Sequence, residues 1–136
     1  MLSSFRFHHA GVAVKDIDRT AAHYIEAGYR KTPTIYDPMQ KVNICFLEKE
    51  GMPTIELLEP VDGTSPVDRI VDNNGVTPYH FCYEVDDIEQ AIVELRTRKY
   101  LVVVKPVNAV AIDNRRVCFL FHKDVGLVEI VEKGLK

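Results

Sequence analysis

Histidine and glutamate recur in this chain at matched places. His9 and His80 each lie in a segment of alternating apolar residues, and Glu56 and Glu129 each stand between apolar neighbours, in Ile55-Glu56-Leu57 and Val128-Glu129-Ile130. Two imidazoles and two carboxylates are a donor set for a divalent cation. Burying two carboxylates near each other is costly without compensation, whereas a cation cancels their repulsion and accepts the imidazole nitrogens as well. Such ligands suit a borderline or moderately hard ion, Zn, Ni, Co, Mn or Fe, better than Ca, for which histidine is a poor ligand. A cation beside a substrate carbonyl lowers the cost of removing the adjacent carbon-bound proton, because negative charge gathers on oxygen in the transition state. Glu129 is the candidate base for that proton, with Glu56 as its counterpart.

One histidine in a strand is more often a hydrogen-bonded, partly buried residue than a ligand. Repetition of both residue types is what points to a metal here. His8, His23 and His122 lack the paired context and are expected at the surface or behind the ligands, while Cys82 is expected as a core thiol.

The repetition extends well beyond these four residues. His9, Val14, Asp16 and Ile17 match His80, Val85, Asp87 and Ile88, each 71 positions on, and the register continues through the following helix to Tyr29 and Tyr100. Later in each half, Cys45-Phe46-Leu47 matches Cys118-Phe119-Leu120 and Ile55-Glu56-Leu57 matches Val128-Glu129-Ile130, now 73 positions apart. Two ordered matches in both halves indicate an internal duplication, with the two-residue slip placed in a loop.

Each half reads as β-α-β-β-β. In the first, a strand at 6–14 leads into a helix at about 17–27, capped by Asp16 or Asp18. Its buried stripe is Ile17, Ala21, Tyr24 and Ile25, and Gly28 stops it. Strands are expected near 31–36, 42–48 and 53–59. In the second, a strand at 78–85 precedes a helix at about 88–98, where Asp87 and Gln90 form a capping box and Ile88, Ala91, Ile92 and Leu95 face the sheet. Strands follow near 101–105, 115–121 and 126–132. Between the halves, Ser65, Pro66 and Asp68 predict a short capped helix. The expected organisation is a single domain over 1–136, with module 1 at 5–60, a linker helix region at 61–76 and module 2 at 77–133.

Strand alternation fixes which residues share a face. His9, Gly11 and Ala13 form one set, and His80, Cys82 and Glu84 the equivalent one. Thr54, Glu56 and Leu58 form another, matched by Leu127, Glu129 and Val131. Packing of equivalent units about a pseudo-twofold axis would turn one His and one Glu per unit into a His2Glu2 cluster.

With 136 residues and 46% apolar content, the chain is suited to one compact domain. It has no apolar run long enough to cross a bilayer and no long hydrophobic leader, so a cytoplasmic protein is expected. Three cysteines without a CxxC pair argue against a disulfide scaffold or a zinc knuckle. Seventeen basic against twenty acidic residues, without a basic stripe, give a weak field for nucleic acid. Arg115 and Arg116 are the one local basic pair suited to meet an anion.

The opening His9-Ala10-Gly11-Val12-Ala13-Val14-Lys15-Asp16-Ile17, the segment Ile55-Glu56-Leu57-Leu58-Glu59-Pro60, the linker Thr64-Ser65-Pro66-Val67, the second opening His80-Phe81-Cys82-Tyr83-Glu84-Val85-Asp86-Asp87-Ile88 and the ending Gly126-Leu127-Val128-Glu129-Ile130-Val131 span nearly the whole chain. Together they resemble the vicinal oxygen chelate superfamily of glyoxalase, bleomycin resistance and dioxygenase proteins, nearest to methylmalonyl-CoA epimerases and lactoylglutathione lyase-like proteins. The resemblance implies an α+β fold of two tandem βαβββ modules forming a cupped mixed sheet. It also implies a divalent metal held by His9, Glu56, His80 and Glu129, and no other cofactor. The implied activity is a metal-dependent isomerase or epimerase, working through a stabilised enolate on an acyl thioester or 2-hydroxycarbonyl substrate. Two alternatives stand beside it. One is a hemithioacetal isomerase of the lactoylglutathione lyase type, with Arg115 or Arg116 receiving an acidic tripeptide; the other is a small-molecule binding or resistance module without turnover. The implied partner is a small molecule, not nucleic acid or membrane, and members of the superfamily are frequently dimers, so a homodimer is compatible with the chain. The sequence departs from the epimerase pattern in three places. Residues 107–116 replace a Gly-Ala-His-Gly turn, His122 is followed by Lys123 instead of proline, and Gln40-Lys41-Val42-Asn43-Ile44 offers no carboxylate where epimerases carry one.

Overall fold

The computed structural model describes residues 1–134, so the last two positions of the expected 1–136 domain lie outside the described residues. Two compact units are present, one comprising His9–Tyr79 and the other opening at His80 and joined by the N-terminal Met1–His8. The fold is α+β, and the β-α-β-β-β pattern read from the sequence recurs in both units.

The first unit runs β1 (Arg6–Ala13, of which His9 onward belongs here), α1 (Ile17–Glu26), β2 (Arg30–Lys31), β3 (Ile35–Asp37), β4 (Val42–Glu48), β5 (Ile55–Pro60) and α2 (Pro66–Asn74). Its strands lie in the order β2-β4-β5-β1, with β3 also on β4. β1 and β5 are parallel, while β4 is antiparallel to β5. The other unit runs β6 (Thr77–Val85, of which His80 onward belongs here), α3 (Ile88–Thr97), β7 (Leu101–Ala109), a 3-10 turn (Val110–Ile112), β8 (Arg115–His122) and β9 (Gly126–Glu132). Its order is β6-β9-β8-β7, with β6 and β9 parallel.

Helix starts follow the residues that can cap them. Asp16, not Asp18, caps α1, accepting from the Arg19 N–H at 2.9 Å, and Glu59 on β5 takes the Ile17 N–H at 3.1 Å. Ser65 and Asp68 form the reciprocal box on α2. On α3 only half of the expected box exists. Asp87 accepts from the Gln90 N–H, but the Gln90 side chain turns along the helix towards Glu94, its i+4 neighbour.

Each helix lies on its own unit's sheet. Ile17 and Ala21 of α1 pack with Val12, Val14, Cys45, Leu47 and Leu57, and Ile88, Ala91 and Leu95 of α3 pack with Val85, Cys118, Leu120, Val128 and Ile130. Fully burying each of these aliphatic side chains contributes about 1.5–3 kcal/mol. Ile25, expected in the buried stripe of α1, is instead exposed, because the helical period that carries Ile17, Ala21 and Tyr24 onto the core turns Ile25 off that stripe.

The strand expected at 31–36 is broken into β2 and β3. Pro33 has no N–H for the ladder. Thr32 bridges the break, its backbone N–H donating to the Phe46 carbonyl at 2.9 Å while its hydroxyl accepts from the Phe46 N–H at 2.8 Å. β7 runs four residues further than expected, to Ala109, because register shifts between Val102 and Val107 absorb Pro106 within the strand.

Burial pushes the Cys45 and Cys118 thiols up to about 11. Both should therefore resist iodoacetamide in the native protein at pH 8 and react once it is unfolded in urea, as read by mass spectrometry of tryptic peptides. Ser65→Ala should lower stability by about 1 kcal/mol in a urea melt by removing the α2 cap.

Candidate functional site

Both units build the same local arrangement of histidine, glutamate and phenylalanine. In the first, parallel pairing sets Gly11 of β1 against Glu56 of β5, and His9, two residues before Gly11, shares its face. The His9 Nε2 lies 3.1 Å from Glu56 Oε1. Phe46 of β4, paired with Glu56 across the antiparallel ladder, stands edge-on to the His9 ring with centroids 5.4 Å apart. In the other unit, Cys82 of β6 pairs with Glu129 of β9, and His80 stands two residues before Cys82. His80 Nε2 lies 3.2 Å from Glu129 Oε1, and Phe119 of β8, paired with Glu129, meets the His80 ring at 5.4 Å.

Burial is nearly complete at all four polar residues: 0% exposed at His9, 3% at Glu56, 4% at His80 and 3% at Glu129. The phenylalanine edges fix each imidazole plane, since edge-to-face contact is the favoured aromatic geometry. Each pair thus presents one imidazole and one carboxylate, a donor set suited to half of a divalent-metal shell.

The structure brings His9 together with Glu56 and His80 with Glu129, as the strand pattern requires. Phe46 and Phe119 were not singled out from the sequence as site residues. Their signal was the repeated Cys-Phe-Leu tripeptide, whose middle residue alternation places on the glutamate's face. Asn43 lies on the face of β4 opposite Phe46 and donates to Glu59 Oε1 at 3.0 Å. The buried carboxylate of the 36–44 stretch is Asp37, which accepts from the backbone N–H groups of Met39 and Gln40 and from the Gln40 amide, and so holds the β3–β4 turn.

The basic pair at 115–116 is committed within its unit. Arg116 lies between Glu89 on α3 and Glu132 on β9, reaching both Glu89 oxygens at 2.7 and 2.9 Å. Arg115 bonds the Glu84 carboxylate and the Glu132 carbonyl. Glu84, on the His80 face of β6, also receives Arg6 at 3.1 Å. Burial works to raise the Glu84 carboxyl, but the Arg115 and Arg6 guanidiniums outweigh it and hold it below the usual carboxylate range. The divergent segment before β8 forms an ordered turn. Ile112 is buried in it, and Asp113 and Asn114 both take left-handed conformations, which these short polar residues tolerate.

Residues 8–119 match the family model described as the Glyoxalase/Bleomycin resistance protein/Dioxygenase superfamily. The chain is 30% identical over 129 residues to the mitochondrial methylmalonyl-CoA epimerase of Homo sapiens, covering 92% of this chain and 72% of that protein. It is 30% identical over 131 residues to the ethylmalonyl-CoA/methylmalonyl-CoA epimerase of Cereibacter sphaeroides, covering 92% and 96%. Among solved structures, the methylmalonyl-CoA epimerase of Mycobacterium tuberculosis shares the fold at a TM-score of 0.87 and 24% identity, covering 99% of this chain and 94% of that one. No described helix is long and apolar enough to cross a membrane.

Because the Glu84 carboxyl is depressed in the folded state, the stability it contributes is present above its unfolded value of 4.5 and is lost as pH falls through the lower folded value. Glu84→Gln should therefore be less stable than the parent near neutrality. In urea melts the two curves should converge as pH falls below 4.5.

Proposed function

Because this chain belongs to the glyoxalase/bleomycin resistance protein/dioxygenase superfamily, we propose that His9, Glu56, His80 and Glu129 together hold one divalent cation and that the protein epimerises an acyl-CoA thioester of the 2-alkylmalonyl type. The observation that carries this reading is the duplicated His–Glu pair, buried twice in the same strand register. Two epimerases, each 30% identical over 92% of the chain, support the substrate class.

The donor set fits the ion. Two nearly water-free carboxylates are costly as bare anions, and each already faces an imidazole nitrogen at ligand-like spacing. Imidazole with carboxylate favours Zn, Ni, Co or Mn over Ca. When bound, the cation supplies electrostatic stabilisation to the oxygen on which negative charge develops.

The chain's own groups do the rest. Glu129 takes the proton from the carbon between thioester and carboxylate, and Glu56, its counterpart in the duplicated arrangement, serves the opposite face. A substrate proton taken on one face and returned on the other inverts the centre without redox change or bond cleavage elsewhere. Phe46 and Phe119 keep the imidazole planes fixed and exclude water from the carboxylates, which strengthens every charge interaction there. With Arg115 bound to Glu84, and Arg116 to Glu89 and Glu132, neither guanidinium is uncommitted for an acidic tripeptide. This favours the thioester over the glutathione hemithioacetal.

The test is proton exchange from deuterated solvent into the C2 position of methylmalonyl-CoA, read by mass spectrometry. Glu129→Gln should slow exchange by about 10²–10⁴-fold, the usual contribution of a positioned base. His80→Ala should lower metal content by elemental analysis. Full turnover with full metal content in both Glu129→Gln and Glu56→Gln would overturn the assignment.

A further inference from the structure

The two halves of the duplication differ sharply at one place, the end of the helix and the hairpin turn beside it. In the first unit this place is filled. Lys49 lies over the Tyr29 ring, 5.7 Å from its centroid, and its Nζ donates to the Ala27 carbonyl at 2.8 Å. In the other unit His122 takes the position of Lys49 and Tyr100 that of Tyr29, with their rings 4.8 Å apart. The shorter histidine leaves an open groove of ≈ 670 Å³, floored by Tyr100, His122, Leu101 and Phe121.

Charge has changed along with shape. Arg96, Lys99 and Lys123 surround the groove where the first unit has Ile25, Gly28 and Glu50 at the repeated positions. Asp124 is the sole acid lining it among the described residues. A helix C-terminus attracts cations, which accounts for Arg96 at the end of α3. It does not account for Lys123, which comes from the β8–β9 turn. Nor does it explain Lys99, whose backbone has φ +73, the left-handed conformation that Gly28 supplies in the repeat at φ +96. Lys41 also holds a positive φ, +56, so the strain alone marks nothing; what sets Lys99 apart is that its ammonium joins the Arg96 guanidinium and the Lys123 ammonium along one groove. The Asp124 N–H donates to His122 Nδ1 at 3.0 Å, so a neutral imidazole carries its proton on Nε2 and can donate from there.

We propose that this groove binds a phosphate ester carried on an aromatic or apolar body. Lys99, Lys123 and Arg96 surround the phosphate, and the Tyr100–His122 floor with Leu101 and Phe121 receives the body. The phosphate belongs either to the carrier of the thioester substrate, an arm that rests on the proposed activity, or to a free nucleotide, an arm that does not.

Calorimetric titration of the full-length, metal-loaded protein with adenosine 3′,5′-bisphosphate, and separately with inorganic phosphate, tests the site without turnover. The bisphosphate should bind saturably and more tightly than inorganic phosphate. Lys99→Gly should weaken it about tenfold, the scale of one charge-assisted hydrogen bond. That variant relieves the left-handed strain and should melt at a higher temperature, so lost binding will not reflect unfolding. Lys49→Ala, in the filled counterpart, should leave binding unchanged. Absence of saturable binding, or parental affinity in both Lys99→Gly and Lys123→Glu, would overturn the site. Competition between the bisphosphate and methylmalonyl-CoA assigns the phosphate to the substrate's carrier. Simultaneous binding of both assigns it to a free nucleotide. A protein that binds the bisphosphate but shows no proton exchange retains this site and loses only the epimerase reading.

Discussion

Two carboxylates removed from water constrain everything else in this molecule. A buried carboxylate without a partner shifts towards its neutral form or destabilises the fold, and Glu56 and Glu129 are each only 3% exposed. Each faces one imidazole within its own unit, and that imidazole packs T-shaped on a phenylalanine, at nearly identical distances in the two units. The parallel pairings β1–β5 and β6–β9 make this possible, because they fix the glutamate against the residue two beyond the histidine in both units. A one-residue slip of either strand would turn its glutamate into the helix-side core. The helices and their caps can accordingly be read as devices that hold strand register.

Much of this was legible in the sequence because duplication supplies an internal check. A single His in a strand says little, but His9 and His80 at one offset, with Glu56 and Glu129 at another, identify a repeated face. The caps were legible too, since Ser65 with Asp68 and Asp16 beside Ile17 are local signals that need no tertiary knowledge. The misses have two origins. The break at Thr32–Pro33 is held by the hydroxyl bond to Phe46, fourteen residues away, whereas the Gln90 miss is local, its side chain meeting Glu94 four residues on instead of its own helix start. Alternation gives a set of faces for β4 but not which face is the core. Only the position of Phe46 relative to His9 settles that.

The copies also show where the fold tolerates change. Ala13 and Val42 of the first unit are fully buried and apolar, whereas the residues at the repeated positions, Glu84 and Arg115, form an ion pair. An ion pair that is only partly buried adds little stability over a packed apolar pair, because desolvation offsets most of the attraction. Its retention beside a glutamate depressed by two guanidiniums is better understood as a fixed charge pattern on the His80 face than as reinforcement of the core.

The same logic separates the parts of the duplication that cannot diverge from those that can. The histidines that face the buried carboxylates and the phenylalanines packed on those histidines are repeated in kind, since losing an imidazole leaves a desolvated charge unanswered. Rim residues without such a role are free to differ, since water answers for them in either copy, while the rim caps Asp16 and Asp87 are repeated because each starts a helix. Lys99, where the repeat has Gly28, is one such difference, and it takes the left-handed conformation that the glycine supplies in the first unit. The proposed phosphate groove at the end of α3 therefore lies where the two copies differ, outside the repeated His–Glu–Phe sets.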